Sequence, residues 1–257
     1  MSCCGCKASE DTARSSILYS ILNRGSPCPR GQPETSAAHQ LCFCASKRKL
    51  VAIRVFKAAS EVLAKTFRFV KNVPCFRGLP AGDQMRLVRK SWAPLLVLGM
   101  VQESVDLDTP ETPQPSLLYR ILTHSKERQL CAPTEIQDSG VPVRDAEGIQ
   151  MFLVGCRGLR ISVKEYVFLK GAILFTPEVL ELECREYVQA LQGEAERALY
   201  EHVRTVHRGN AGRLSRLRAI LNTLRAMDPD AVAGLFFRPV TGTSCVDEHV
   251  LAMFYER

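Results

Sequence analysis

Residues 67–89 constrain this chain more than any other stretch. Upstream of them, Val55, Ala59, Val62, Leu63, Thr66, Phe69, Val70 and Val73 recur at steps of three and four, which puts them on one face of a helix. The helix is expected to begin near Val51 and to stop at Pro74, which has no amide hydrogen to donate and clashes with the preceding turn. Phe76 and Leu79 form a short aromatic turn, and a second helix opens at Asp83, expected as its cap. That helix runs through Trp92 with a bend at Pro94. The apolar run 92–101 is shorter than the roughly 20 residues of a membrane span. It reads as a helix buried on all sides.

Further along, Ser162-Val-Lys-Glu165 is a capping box opening a helix with Tyr166, Leu169, Ala172 and Ile173 on its apolar side. Thr176-Pro177 ends that helix and starts the next, Thr as cap and Pro in the first position. The spacing of Leu180, Tyr187, Val188, Leu191, Ala195, Leu199 and Val203 predicts a helix over about 177–207, closed by Gly209-Asn210. Leu214, Leu217, Leu221 and Leu224 predict a helix over 213–227, followed by short ones at 231–237 and about 246–255. Residues 105–115 and 124 to about 147 read as loops. No strand alternation or repeat emerges, so the chain is expected to be all-α.

Residues 1–50 are rich in Cys, Ser, Pro, Gly and Gln and read as a flexible tail, with residues 51–257 as one domain. Seven Lys/Arg against three Asp/Glu put +4 of the net +7 into that tail. The remaining +3 is small for some 200 residues and disfavours a basic nucleic-acid surface. Cys3, Cys4 and Cys6 beside Lys7, Glu10 and Asp11 do not make the apolar core of a signal peptide. With eleven cysteines, an odd number, the thiols are expected to be reduced, in a cytosolic or nuclear setting. Zinc needs four well-spaced ligands. Here one CxxC is followed only by Cys28, Cys42, Cys44 and His39, while His202 and His207 are five apart, so no metal site is expected. HExxH, GxSxG, Walker and GxGxxG motifs are absent, and Glu181, Glu183 and Glu186 read as a solvated face. The reading is therefore a non-enzyme without cofactor.

Two short apolar segments stand apart. Leu18-Tyr-Ser-Ile-Leu22 and Leu118-Tyr-Arg-Ile-Leu122 are variants of the LxxLL box, in which Leu18, Ile21 and Leu22, or Leu118, Ile121 and Leu122, share one helical face. The pattern alone carries little weight, since roughly one chance match is expected in a chain this rich in Leu and Ile. Leu217-Arg-Ala-Ile-Leu221 also fits, and there a core or interface face is the better reading. The first two lie between Pro-, Ser- and Gly-rich stretches, and helices this short need a surface to bury against. That surface is either this chain's own core or a partner's groove.

The stretch 67–89, Trp92, Lys164-Glu-Tyr-Val-Phe-Leu-Lys-Gly-Ala-Ile-Leu-Phe-Thr-Pro-Glu178 and Leu235-Phe-Phe-Arg-Pro-Val-Thr-Gly242 together resemble the ligand-binding domains of nuclear receptors, over roughly residues 51–257. The last segment resembles the members without a DNA-binding domain, and no zinc module precedes it here. The resemblance implies a three-layer antiparallel helical sandwich. It places Lys71 and Arg89 at the two edges of a coregulator groove lined by Phe67, Gln84, Met85 and Val88. Cations suit that place, because a docked helix ends in unpaired carbonyls. The family's activation helix carries an acid between apolar pairs. Here Val250, Leu251, Met253 and Phe254 are the apolar positions, and Ala252 stands where the acid belongs. Another frame offers Glu248 but puts His249 at an apolar position.

By this resemblance the chain is expected to be a transcriptional corepressor in the nucleus and also the cytoplasm. It would heterodimerise with nuclear receptors through the LxxLL-like helices, compete with coactivators and recruit corepressor and chromatin-modifying proteins, without binding DNA or membranes. Two other readings stay open. One is an orphan receptor with a small-molecule pocket; the other is a Cys-rich metal or nucleic-acid module in the tail.

Overall fold

A computed structural model describes residues 36–105, 143–242 and 245–256. The chain divides into two compact units, Met1–Cys42 and Phe43–Arg257, and of the first only helical residues 36–42 are described. All regular structure among the described residues is helical: α1 Ser36–Asn72, α2 Pro74–Arg77, α3 Ala81–Gln102, α4 Val143–Arg157, α5 Val163–Leu174, α6 Arg185–Val206, α7 Ala211–Arg225, α8 Pro229–Phe236, α9 Arg238–Thr241 and α10 Val246–Tyr255.

The fold is the three-layer helical sandwich, with α3 at its centre in contact with α4, α5, α7, α8 and α10. Residues 91–100 are buried without exception, so the apolar run is a helix enclosed on all sides, with Pro94 carried inside it. Trp92, Leu95, Leu96 and Leu98 fill the core. Gly99 lets α1 and α3 approach closely: a Cβ there would stand 2.7 Å from Val62 Cγ1 and 3.0 Å from Thr66 Oγ1.

Three elements depart from expectation. Helix α1 begins at Ser36, not Val51. Residues 36–50 show no apolar stripe, yet they contain neither Gly nor Pro and are rich in helix formers. Helix α6 begins at Arg185, and residues 177–184 form turns. Asp83 is the cause. It does not cap α3, whose first residue is Ala81; instead its fully buried carboxylate accepts the backbone N–H groups of Glu183 and Cys184, both at 2.9 Å. Leu180 and Tyr187, expected inside, are exposed. Finally, α4 begins at Val143, inside a stretch read as loop, and buries Ile149, Leu153 and Cys156.

The capping box forms as read. Ser162 Oγ accepts the Glu165 N–H, and the Glu165 carboxylate accepts the Ser162 N–H at 2.7 Å. The same carboxylate is buried and receives a fork from Arg213, Nε at 2.7 Å and Nη2 at 2.6 Å, which ties the start of α5 to α7.

Candidate functional site

The end of α1, the short α2 and the start of α3 make a corner, and α10 lies over it. Leu79, Pro80 and the single-turn α2 fix the corner. Gln84 stabilises it further, its Nε2 donating to the Leu79 carbonyl at 2.8 Å. Phe67 is buried near the end of α1, and the Phe254 ring meets it edge-on at 5.3 Å between centroids. Phe254 also meets Phe76 edge-on at 6.2 Å. Edge-to-face pairs at such distances are favourable beyond their buried area.

Lys71 joins this cluster through two contacts. Its Nζ lies 5.3 Å from the centre of the Phe254 ring and donates to the Glu256 carbonyl at 2.8 Å. The second contact follows from helix geometry: α10 ends at Tyr255, the last carbonyls of a helix have no partner within it, and an ammonium answers their partial negative charge. A cleft of about 220 Å³ remains beside it, lined by Lys71, Phe76, Arg77, Gln84, Phe254 and Tyr255.

Of the expected groove residues, the structure therefore brings Phe67, Lys71 and Gln84 to one place, under or beside α10. Val88 is buried, Met85 is half-buried, and Arg89 is exposed one helical turn beyond Met85 on α3. On α10, Val250 and Phe254 are buried, Leu251 and Met253 are half-buried, and Ala252 is exposed. Glu248 is exposed in the first turn of α10, while His249 packs near Phe56 and Phe237, with centroids 6.0 and 6.2 Å away. Trp92 meets Phe237 at 5.9 Å; these two rings are buried, and Phe56 and His249 are half-buried beside them. Residues 18–22 and 118–122 lie outside the described residues. Leu217, Ile220 and Leu221 are buried, so that third match to the docking pattern serves the core.

Phe76 showed in the sequence as part of an aromatic turn, but its place against Phe254 did not. The role of Glu256 left no sequence signal, because its backbone carbonyl makes the contact.

Residues 45–237 match the family described as the ligand-binding domain of nuclear hormone receptor. The chain is 37% identical over 269 residues, 98% of its length, to nuclear receptor subfamily 0 group B member 1 of Callithrix jacchus, covering 57% of that protein. It is 36% identical over 273 residues to the protein of the same name from Homo sapiens, again 98% of this chain and 57% of the relative. To that of Sus scrofa it is 40% identical over 230 residues, 82% of this chain and 48% of the relative. The chain spans about half the length of these relatives. With the helical sandwich, the corner and the overlying α10 in place, the chain belongs to the family of nuclear hormone receptor ligand-binding domains.

Proposed function

We propose that this chain is a transcriptional corepressor of the nucleus and cytoplasm. It binds nuclear receptors through its leucine-rich segments at Leu18–Leu22 and Leu118–Leu122, keeps coactivators out of the receptor groove and brings in repressor proteins, without contacting DNA itself. Family membership supports the protein-directed part of this reading. The observation that carries the repressive part is at α10: Lys71 holds the end of this helix, while Ala252 presents a methyl group where an acid would meet the amides of a docked activator. A groove with one half of its charge pair absent, and its cationic half engaged by the chain's own carbonyl, is poorly set to recruit activators. The buried rings of Trp92 and Phe237, against which half-buried Phe56 and His249 pack, favour this reading over a small-molecule pocket at that place.

A receptor-driven reporter tests it. The chain lowers output, and excess coactivator restores it. Equal loss from a reporter that carries no receptor site contradicts the reading.

A further inference from the structure

The loop before α5, the start of α5 and the turn between α6 and α7 meet at one joint. Glu165 is its centre and is fully buried: Arg213 forks onto it, and His207 Nε2 stands 3.6 Å from its Oε1. Arg213 also donates from Nη1 to the Leu159 carbonyl at 3.2 Å and from Nη2 to the Arg160 carbonyl at 3.1 Å, which fixes the loop against α7. Residues 157–165 and 202–218, which the joint unites, carry eight Lys/Arg and one acid, Glu165 itself. With that charge taken up by Arg213, no acid in either stretch balances the remaining cations.

Six of them face water. Arg160, Lys164, Arg204, Arg208, Arg216 and Arg218 are exposed and make no ion pair among the described residues. Arg160 and Lys164 flank the start of α5, Arg204 is in the last turn of α6, and Arg208 follows His207 in the turn. Arg216, one helical turn beyond Arg213, donates to Asn210 Oδ1 at 3.1 Å, a neutral partner. Lys164 lies in the first turn of α5, where a cation adds to the helix's own positive end. Acids bound the patch. Glu201 is exposed three residues before Arg204, while Glu194 and Glu196 on the same helix are taken up by Arg197 and Arg225. Asp145 and Glu147 are exposed near the far end of α4, with Glu147 about 15 Å of helix from Arg157.

We infer that this joint is a docking surface for a short acidic segment of another protein, rich in Asp or Glu and held through its carboxylates. Five of the six exposed cations are Arg, whose planar fork pairs with a carboxylate or a phosphate through two hydrogen bonds. The extent of the patch decides between the two. It is one joint long, and Glu201 closes it on α6 about 4.5 Å of helix from Arg204. Duplex DNA carries a charge every ~1.7 Å of its axis and gains from a long cationic track; a few carboxylates fill this one. The surface shares no residue with the groove beneath α10 or with the leucine-rich segments, so the inference goes beyond the proposed function, and either can fail while the other stands.

Fluorescence anisotropy on the full chain tests it, with a labelled peptide alternating Glu and Ser and a counterpart alternating Gln and Ser. At low salt the Glu peptide binds about tenfold tighter or more, and the gap closes as salt is added. Arg160→Gln, Arg208→Gln and Arg216→Gln together weaken the Glu peptide about tenfold and leave the Gln peptide unmoved. Arg54→Gln, Lys57→Gln and Arg185→Gln together remove the same charge from exposed positions outside the joint and leave the Glu peptide bound. Arg208→Glu alone, in an exposed turn, weakens it more than Arg208→Gln, which keeps the result independent of how the triple change affects folding. A Glu peptide that binds both triple variants alike overturns the inference, as does one displaced by an unlabelled LxxLL peptide. So does duplex DNA that binds more tightly than the Glu peptide and is weakened by the substitutions at Arg160, Arg208 and Arg216.

Discussion

Gly99 and Glu165 illustrate how single residues hold this fold. At Gly99 the missing side chain is what lets α1 and α3 touch, and neither neighbour is free to retreat: Val62 and Thr66 are both buried. Gly99→Ala gains helix propensity, by up to about 1 kcal/mol, yet forces two packed helices apart. A net loss on the order of 1–3 kcal/mol is expected in urea unfolding. At Glu165, burial pushes the carboxyl up, but the Arg213 fork and the amide and hydroxyl of Ser162 outweigh it and hold it down to about 2. The folded value lies below the unfolded one of about 4.3, so the unfolded chain binds this proton more readily. The resulting stability is complete above about pH 4.3 and is lost as the pH falls towards about 2. Glu165→Gln should flatten that acid limb in denaturation curves taken from pH 6 downward. Arg213→Ala leaves a buried carboxylate without its partner and should lower stability by about 3–5 kcal/mol.

Elements were legible where a single apolar stripe decides the helix. The bounds of α10 follow directly from the spacing, and the stripes of α3 and α5 are buried as read, as are Leu217, Leu221 and Leu224 of α7, while Leu214 is half-buried. Legibility failed where a distant group decides. Leu180 and Tyr187 have helical spacing, but a carboxylate about a hundred residues earlier holds 183 and 184 in a turn. It failed again at α4, whose outer side carries Gly148 and Gly155 and breaks the pattern. The capping box was legible, its second role was not. Ser162→Ala alone should cost about 1 kcal/mol, while Glu165→Ala also strands Arg213 and should cost several times more in thermal melts. At α10 the exposed Ala252 gives a gain-of-function test. Ala252→Glu should strengthen binding of standard LxxLL coactivator peptides by about 0.3–1 kcal/mol, read by anisotropy and shrinking with salt. No gain, with α10 still seated, would mean that occupation of the groove by Phe254 and Glu256 is the limiting obstacle.

At the scale of the molecule, the all-α class stood in the helical spacing, and the family with its helical sandwich stood in the resemblance carried by residues 67–89, 164–178 and 235–242. The charge of the joint around Glu165 did not. A net +3 over residues 51–257 averages away cations that the fold gathers from two separate stretches. Nor could the sequence tell that Lys71 would be engaged from within the chain. The proposed function rests on leucine-rich helices offered to receptors. It is tested most directly by calorimetric titration of a nuclear receptor ligand-binding domain with the intact chain and with the variant carrying Leu18→Ala, Leu22→Ala, Leu118→Ala and Leu122→Ala. Each anchor that is fully buried in the complex contributes on the order of 1.5–3 kcal/mol, so a loss of affinity of at least about a hundredfold is expected. A correctly folded quadruple variant that binds the receptor as tightly as the intact chain would contradict it.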